Sequence, residues 1–417
     1  MEENIDESFF TEVFLTEKNI QIELKKTGFE NTFNERQIGS ITKCIEPISD
    51  QNSLDTLIEM FEQQPDLEAI PIEQNNSVIG IIDRETLKEL TGTVFKRFVA
   101  KTCGEYVNRI PFTLNSRDFM EKMLSKITSI SQEYGVKYFV VLMSNRSFYG
   151  IVSLEDIRLK IEDLRAQDLE KAEVIQQFML PKQEDTIPFP FKVGLWNKMA
   201  NPVGGDFYIA QKLTENAYIL GVFDVSGKNV SAALLTVTIC SFFASLKQFN
   251  HLEVSSVKIT SMLDQYLQSI VPVGNFITGA LCYVDVGAQE VHVLNCGHTD
   301  VYALMKSENN KVKFATLTPT LPPFGIGQVT DTFKKTGNGG YKIPISPSLQ
   351  INMYSDGLTD MQNNDGSRYD EDNTKKLFLD IYTKKTEEIA ALCSQTVTTW
   401  IEHSMLPDDI TVMNIRF

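Results

Sequence analysis

The sequence predicts an α+β protein built from more than one domain. Three observations carry that expectation. From Pro188 to Phe417 strand-like runs dominate and enclose two helical stretches; between about 39 and 160 one strand–Gly–strand–helix pattern occurs twice; and Leu154 to Leu180 contains neither Gly nor Pro. At 417 residues the chain exceeds what one hydrophobic core normally organises, so two or three domains are expected. The patterns divide it into an N-terminal extension (1–38), a repeat region (39–160), a linker helix (161–182) and a C-terminal domain (183–417).

The extension is polar with scattered Phe and Ile and resembles no compact unit. In the first repeat, Ala69-Ile70-Pro71-Ile72 is followed by Val78-Ile79-Gly80-Ile81-Ile82-Asp83 and then by the helix-like Arg84-Glu85-Thr86-Leu87. In the second, Tyr138 to Leu142 is followed by Tyr149-Gly150-Ile151-Val152-Ser153 and by Leu154-Glu155-Asp156-Ile157. Amphipathic helical segments, Ser53 to Gln63 and Ser116 to Glu133, precede each copy. Internal repetition of this length predicts two similar modules packed on each other.

This α/β repeat resembles a cystathionine-β-synthase (CBS) pair, a module that commonly binds an adenine nucleotide between its halves. In that family a Ser or Thr three residues before an Asp, just after the Gly-apolar-apolar strand, holds ribose and phosphate. Ser153 and Asp156 match that pattern and are the nucleotide-binding candidates. The first copy has Asp83 and Thr86 instead. A pair that only dimerises is the other reading.

The linker reads as one continuous helix ending before Pro181. Ile157, Ile161, Leu164, Ile175 and Phe178 fall on the four-three spacing of a coiled-coil seam, in a register that also includes Asp168 and Lys171. Leu169 and Ala172 offer a second seam one position over. Two competing registers make a weakly specified coiled coil, which a partner domain can bias. A plain spacer helix on the surface is the alternative.

In the C-terminal region the strand-like runs are Phe191–Trp196, Gly205–Gln211, Ala217–Val225, Thr278–Val286, Glu290–Asn295, Val301–Met305, Gln350–Tyr354 and Thr411–Arg416. Val284 to Val291 reads as a hairpin around Gly287. Ser231 is placed as the N-cap of one helix, and a second helix runs from Val254 to Ile270. Strands followed by helices argue stacked sheets with helices outside. The Pro- and Gly-rich segment Thr318–Pro347 reads as a mobile flap.

Bulk properties exclude several functions. The net charge is −16 and the pI about 4.8, and no basic run offsets repulsion from phosphates, so no nucleic-acid partner is expected. Six dispersed cysteines without a CxxC pair read as reduced thiols, and the N-terminus is acidic where a secretory signal is expected to be basic. The most apolar stretch, Leu234 to Leu246, is too short and too rich in Thr and Ser to span a bilayer. The expected location is cytoplasmic, with no membrane partner. A Gly-x-Ser-x-Gly elbow and a cysteine-phosphatase loop are both absent from the sequence.

Four apolar runs deliver an aspartate beside a turn. They are Val203-Gly204-Gly205-Asp206, Val222-Phe223-Asp224-Val225-Ser226-Gly227, Met353-Tyr354-Ser355-Asp356-Gly357 and Pro407-Asp408-Asp409-Ile410. Converging carboxylates repel one another unless cations lie between them, and oxygen ligands suit Mg²⁺ or Mn²⁺ rather than zinc. Two such ions about 3.5–4 Å apart share a water, lower its pKa and neutralise a phosphate under attack. Gly204 and Gly205 would let the backbone approach, and the Val225 carbonyl is available as a further ligand.

Taken in order, Gly204-Gly205-Asp206-Phe207-Tyr208, Phe223-Asp224-Val225-Ser226-Gly227-Lys228 with Ala232-Ala233-Leu234, Asn295-Cys296-Gly297-His298, Tyr354-Ser355-Asp356-Gly357 and Asp408-Asp409-Ile410-Thr411 resemble the metal-dependent serine/threonine protein phosphatase (PPM) family. The match is to its bacterial sporulation-phosphatase-like branch, over roughly 185–417. The resemblance implies a four-layer α/β/β/α sandwich with two or more Mn²⁺ or Mg²⁺ at one end. It implies that Asp206, Asp224 and the Val225 carbonyl hold one ion, and that Asp224, Asp356 and Asp408 hold the other, with Asp224 bridging. Asp409 and Gly205 would support these ligands, and His298 would order a nearby loop. Where the branch often has Ser-Gly-His-Gly, this chain has Ser226-Gly227-Lys228-Asn229, so Lys228 either steers a phosphate or points to solvent.

The leading expectation is a metal-dependent phosphatase of phosphoserine or phosphothreonine proteins, with a small anti-sigma antagonist as the first substrate to consider. The CBS pair and linker helix would regulate it within a homodimer. Two other readings stay open: a catalytically weak phosphatase-fold protein that signals by binding a partner, and an adenylate-sensing scaffold whose C-terminal half is structural.

Overall fold

The computed structural model describes residues 33–91, 102–109, 112–180, 189–227, 230–246, 255–336, 339–402 and 404–417. The chain separates into two compact units, residues 1–167 and 168–417. Among the described residues no helix is long and apolar enough to cross a membrane.

The first unit shows the expected repeat. Its first half comprises β1 (Ile48–Ser49), α1 (Leu54–Gln63), β2 (Ala69–Gln74), β3 (Ser77–Asp83), α2 (Arg84–Thr91) and β4 (Asn108–Arg109). Its second comprises β5 (Thr113–Asn115), α3 (Met120–Tyr134), β6 (Tyr138–Leu142), β7 (Phe148–Ser153) and α4 (Leu154–Met179). In each half a short strand pairs in parallel with the strand beyond a helix, and a hairpin follows. The first hairpin turns on Asn75 and Asn76, whose φ values of 52° and 59° suit asparagine.

The repeated glycines have a shared cause. A Cβ on Gly80 would strike the Asn108 carbonyl, and one on Gly150 would strike the Lys43 carbonyl. Each half thus lets a connecting segment lie directly on its hairpin. Ala69, Ile81, Val140 and Ile151 form a buried cluster drawn from both halves.

Several boundaries differ from the sequence reading. Ser53 caps α1 by accepting from the Thr56 N–H, as its position suggests. Ser116 does not begin α3; it is buried, and its N–H donates to the Leu142 carbonyl. The extension ends earlier than residue 38, because Ile38 is fully buried in the second half's core and Phe33 packs on Tyr149. The linker seam divides in character. Ile157, Ile161 and Leu164 are consumed by the first unit's own core, whereas Val174, Ile175 and Phe178 are exposed. A helix whose first turns already have an intramolecular partner has no free seam there.

The second unit contains two five-stranded sheets. One runs β15 (Tyr341–Pro344), β12 (Glu290–Cys296), β11 (Ile277–Asp285), β10 (Ala217–Val225), β9 (Asp206–Lys212). The other runs β14 (Val312–Leu317), β13 (Val301–Lys306), β16 (Gln350–Tyr354), β17 (Ile410–Arg416), β8 (Lys192–Lys198). All their pairings are antiparallel. Between the sheets lies one apolar core that includes Leu220, Val222, Val293, Ile351 and Met413. On the outer face of the first sheet pack α5 (Val230–Leu246), α6 (Ser256–Gln268) and α7 (Val329–Thr336). After the short α8 (Gly357–Asp360), α9 (Glu371–Thr383) and α10 (Ile389–Ile401) cover the second sheet. The α+β class and the four-layer α/β/β/α sandwich are as expected.

Edge strands β14 and β15 and the outer helices α9 and α10 escaped the sequence reading, as did the start of α5 at Val230, which places Ser231 inside the helix. The Pro/Gly segment is no free flap. Leu321, Phe324, Val329 and Phe333 are buried, and the Asp264 carboxylate accepts from the Gly325 and Val329 N–H groups at 3.1 and 3.2 Å.

Candidate active site

Asp206 opens β9 and Asp224 lies at the end of β10, and the two are direct cross-strand partners. Side chains at paired positions share a face, so register alone sets these carboxylates side by side. Asp206 is 2% exposed and Asp224 half-buried. Burial, and then the charge of Asp224, push the Asp206 carboxyl well above the usual carboxylate range, against the lowering effect of two hydroxyl donors.

Those donors come from the other sheet. Ser355 Oγ, at the end of β16, and Thr411 Oγ1, in β17, each lie 2.6 Å from Asp206 Oδ2. The same strand ends carry the remaining two aspartates. Gly357 is pressed so closely on the Asp408–Asp409 peptide that a Cβ would strike the Asp409 carbonyl. Asp356 and Asp408 therefore emerge from neighbouring backbone, the first exposed and the second half-buried. Through Ser355 and Thr411 the strand ends that carry Asp356 and Asp408 meet the buried Asp206, the cross-strand partner of Asp224.

Asp409 turns inward instead. It is 5% exposed, and its Oδ1 accepts from the Ala200 N–H at 2.8 Å while Oδ2 accepts from the Gly205 N–H at 2.7 Å. The Asp206 N–H adds a third donor. One carboxylate thus holds the Gly205-Asp206 part of the turn. Burial still raises the Asp409 carboxyl above its ordinary value, with these N–H groups acting in the opposite direction. The turn needs both glycines. A Cβ on Gly204 would strike Asp409 Oδ2 and Met199 Sδ, and one on Gly205 would sit 2.9 Å from the Val225 carbonyl oxygen.

His298 stands behind Asp224. Its Nδ1 is 2.9 Å from Thr278 Oγ1, and Thr278 is the cross-strand partner of Asp224 on β11. Burial pushes the imidazole down to about 4, so it is neutral at physiological pH. Asn295 Oδ1 accepts from the His298 N–H at 2.9 Å, and Asn295 Nδ2 donates to the Thr299 carbonyl at 2.7 Å. The Asn-Cys-Gly-His segment is therefore a loop staple. Lys228 lies outside the described residues.

The donors at this end are all oxygens, and the buried Asp206 faces a second carboxylate. That chemistry fits hard divalent cations. Among the described residues no group of three or more His, Cys, Asp or Glu is drawn close enough to hold one ion.

Sequence reasoning missed Ser355, Thr411, Asn197 and Gln176. The first two sit inside the recognised segments, where a hydroxyl beside an acid was the available signal. Asn197 donates to Thr411 Oγ1 from the opposed strand, and Gln176 bonds Gly204 from α4; neither carries a local pattern.

In the first unit, Ser153 Oγ caps α4 by accepting from the Asp156 N–H at 2.9 Å. Asp156 Oδ2 lies 3.4 Å from Lys43 Nζ, beside an open cleft lined also by Ile41, Leu159, Lys160 and Asp163. The first copy is capped differently, with the Asp83 carboxylate accepting from both the N–H and the hydroxyl of Thr86.

Residues 214–417 match the family described as Stage II sporulation protein E (SpoIIE). Phosphoserine phosphatase RsbP of Bacillus subtilis (strain 168) is 23% identical over 198 residues, which are 46% of this chain and 45% of that protein. The chain thus spans about half the length of this curated relative. Among solved structures, the SiaA-PP2C domain of Pseudomonas aeruginosa superposes with a TM-score of 0.51 at 19% identity, covering 62% of this chain and 98% of that domain. The sandwich is thereby a PP2C-type fold.

Proposed function

We propose that the chain, whose residues 214–417 match the family described as Stage II sporulation protein E (SpoIIE), is a Mn²⁺- or Mg²⁺-dependent phosphatase of phosphoserine or phosphothreonine proteins. The observation that supports this reading is the cross-strand pairing of Asp224 with the buried Asp206, which is bonded by the strand ends that carry Asp356 and Asp408. Asp206, Asp224 and the Val225 carbonyl would hold one ion; Asp224, Asp356 and Asp408 would hold the other. When bound, such ions supply an activated water and neutralise charge on the phosphate.

The chain's own residues supply position. Asp409 fixes the turn that delivers Asp206, and Gly205 leaves room for the Val225 carbonyl to face the site. His298 and Asn295 order the loop behind Asp224. The name of RsbP favours a phosphoserine protein as substrate, and a small phosphorylated anti-sigma antagonist is the first to test.

Regulation by the first unit belongs to the same proposal. An adenine nucleotide would lie against Ser153 and Asp156, displacing the Lys43 pairing. The signal would pass along α4, whose exposed Val174, Ile175 and Phe178 offer a face for a second copy in a homodimer. Equal activity with and without each adenine nucleotide, together with unaltered dimer geometry, would count against this.

The second reading is a catalytically weak signalling protein. Release of p-nitrophenol from p-nitrophenyl phosphate by the full chain in Mn²⁺ separates the two. Metal-dependent turnover supports the enzyme, and metal binding without turnover under any divalent ion supports the signalling protein.

A further inference from the structure

Both hydroxyl donors to Asp206 reach the same oxygen. Ser355 Oγ and Thr411 Oγ1 are each 2.6 Å from Oδ2. A hydroxyl owns one hydrogen, so what else it bonds decides where that hydrogen points. Ser355 Oγ receives the Thr411 backbone N–H at 2.9 Å, and Thr411 Oγ1 receives Asn197 Nδ2 at 2.8 Å. An N–H can only donate. Each hydroxyl oxygen therefore acts as acceptor towards nitrogen, and its hydrogen is left for an oxygen. For Ser355 the only other acceptor among the described residues is the Asp409 carbonyl at 3.4 Å, far longer than the 2.6 Å to Oδ2.

The Asn197 contact follows from register, because Asn197 on β8 and Thr411 on β17 are direct cross-strand partners. Of the two supports, one is main chain and invariant to substitution. The other is a single side chain lying outside every recognised segment.

We propose that Asn197 is a positioning residue for Asp206. By donating to Thr411 it commits the Thr411 hydroxyl to Oδ2, which with Ser355 saturates that oxygen and leaves Oδ1 as the one presented to a divalent cation. The inference rests on the reading of Asp206 as a metal ligand. It adds an amide that no motif contains.

The test is Mn²⁺ binding by the full chain, measured by calorimetry and by electron paramagnetic resonance of free Mn²⁺, beside the Mn²⁺ dependence of p-nitrophenyl phosphate turnover. Asn197→Asp is nearly isosteric, but its carboxylate competes for the Thr411 hydrogen while adding negative charge near the site. Simple charge attraction would tighten Mn²⁺ binding; loss of the directed donor weakens it. We expect binding weakened about 10-fold in Asn197→Asp and in Asn197→Ala, as for other groups that orient metal ligands. Thr411→Val should do the same. The apparent KM for Mn²⁺ should rise by a larger factor than kcat at saturating Mn²⁺ falls.

Unchanged or tighter binding in a folded Asn197→Asp overturns the proposal. If that variant does not fold, Asn197→Ala is read in its place, and failure of both to fold assigns Asn197 a structural role instead. A wild-type chain that binds no Mn²⁺ removes the metal reading and this inference together. Wild-type binding matched by the Asn197 variants removes the inference alone.

Discussion

The side-chain amide of Gln176 holds Gly204 at both its polar ends. Nε2 donates to the Gly204 carbonyl at 2.7 Å, and Oε1 accepts from the Gly204 N–H at 3.1 Å. Nε2 also reaches Thr236 Oγ1 on α5 at 2.9 Å. Gln176 is 4% exposed in a stretch of α4 where Val174, Ile175 and Phe178 face solvent, so its burial serves these bonds rather than an apolar core. Gly204 leads directly into Gly205 and Asp206, the turn that Asp409 grips from the other side.

Replacing Gln176 by Ala leaves a buried peptide without partners, a loss of about 1–3 kcal/mol. Concentrated on the Asp206 turn, it should raise the Mn²⁺ requirement of the full chain about 10-fold by the same figure. A Mn²⁺ titration of phosphatase activity reads this. An unshifted titration in a folded variant would show that the clamp has no bearing on the site.

Asp356→Asn separates catalysis from folding. The side chain is exposed and lies at the N-terminus of the four-residue α8. Turnover of p-nitrophenyl phosphate should fall by about 100-fold or more, the scale on which loss of one charge-stabilising group acts. The circular dichroism spectrum and melting temperature should stay at wild-type values. Retained turnover would remove Asp356 from the proposed ligand set.

Much of this was legible in the chain. The repeat, the long helix, the central strands and the four strand-end aspartates all leave local patterns of period, glycine and acid. Edge strands β14 and β15 did not, because Val312–Leu317 is exposed at four of its six positions, on both faces, and shows no two-residue alternation in burial, and Tyr341–Pro344 is only four residues long. The seam on α4 misled because identical spacing serves a coiled coil and a helix docked on its own domain, and only packing decides that Ile157, Ile161 and Leu164 do the second. Gln176 and Asn197 were invisible for a different reason. Their partners lie 28 and 214 residues away, and nothing beside them in sequence registers that.

Gly357 and Gly204 should resist even alanine. The neighbour of a Gly357 Cβ is the Asp409 carbonyl, and that of a Gly204 Cβ is the Asp409 carboxylate. Neither is a flexible chain end, since Asp409 is buried and fixed by backbone donors. Each substitution should cost about 1–3 kcal/mol, as other overpacked sites do, and should weaken Mn²⁺ binding at the same time. Thermal melts with and without Mn²⁺ test both effects. Wild-type stability in Gly357→Ala would mean that α8 can move off β17 freely.

His298 sets a pH window for stability. Its folded pKa is held near 4 by burial, below the ordinary value of 6.5. In the unfolded chain the ring takes a proton as pH falls through about 6.5, while the folded protein refuses it until about 4. Over that interval the unfolded state binds more protons, so stability falls with falling pH, and above about 6.5 the group contributes no slope. The full effect is about 3 kcal/mol at most. The raised carboxyls of Asp206, Asp264 and Asp409 act with the opposite sign, since they take up protons more readily in the folded protein. Subtracting a His298→Gln variant isolates the imidazole from them. In chelator-treated samples, the stability of wild type relative to this variant should be constant from pH 8 to 7 and decline steadily towards pH 4.5. Parallel urea-unfolding curves for the two proteins across that range would mean that the His298 ring is protonated in the folded site.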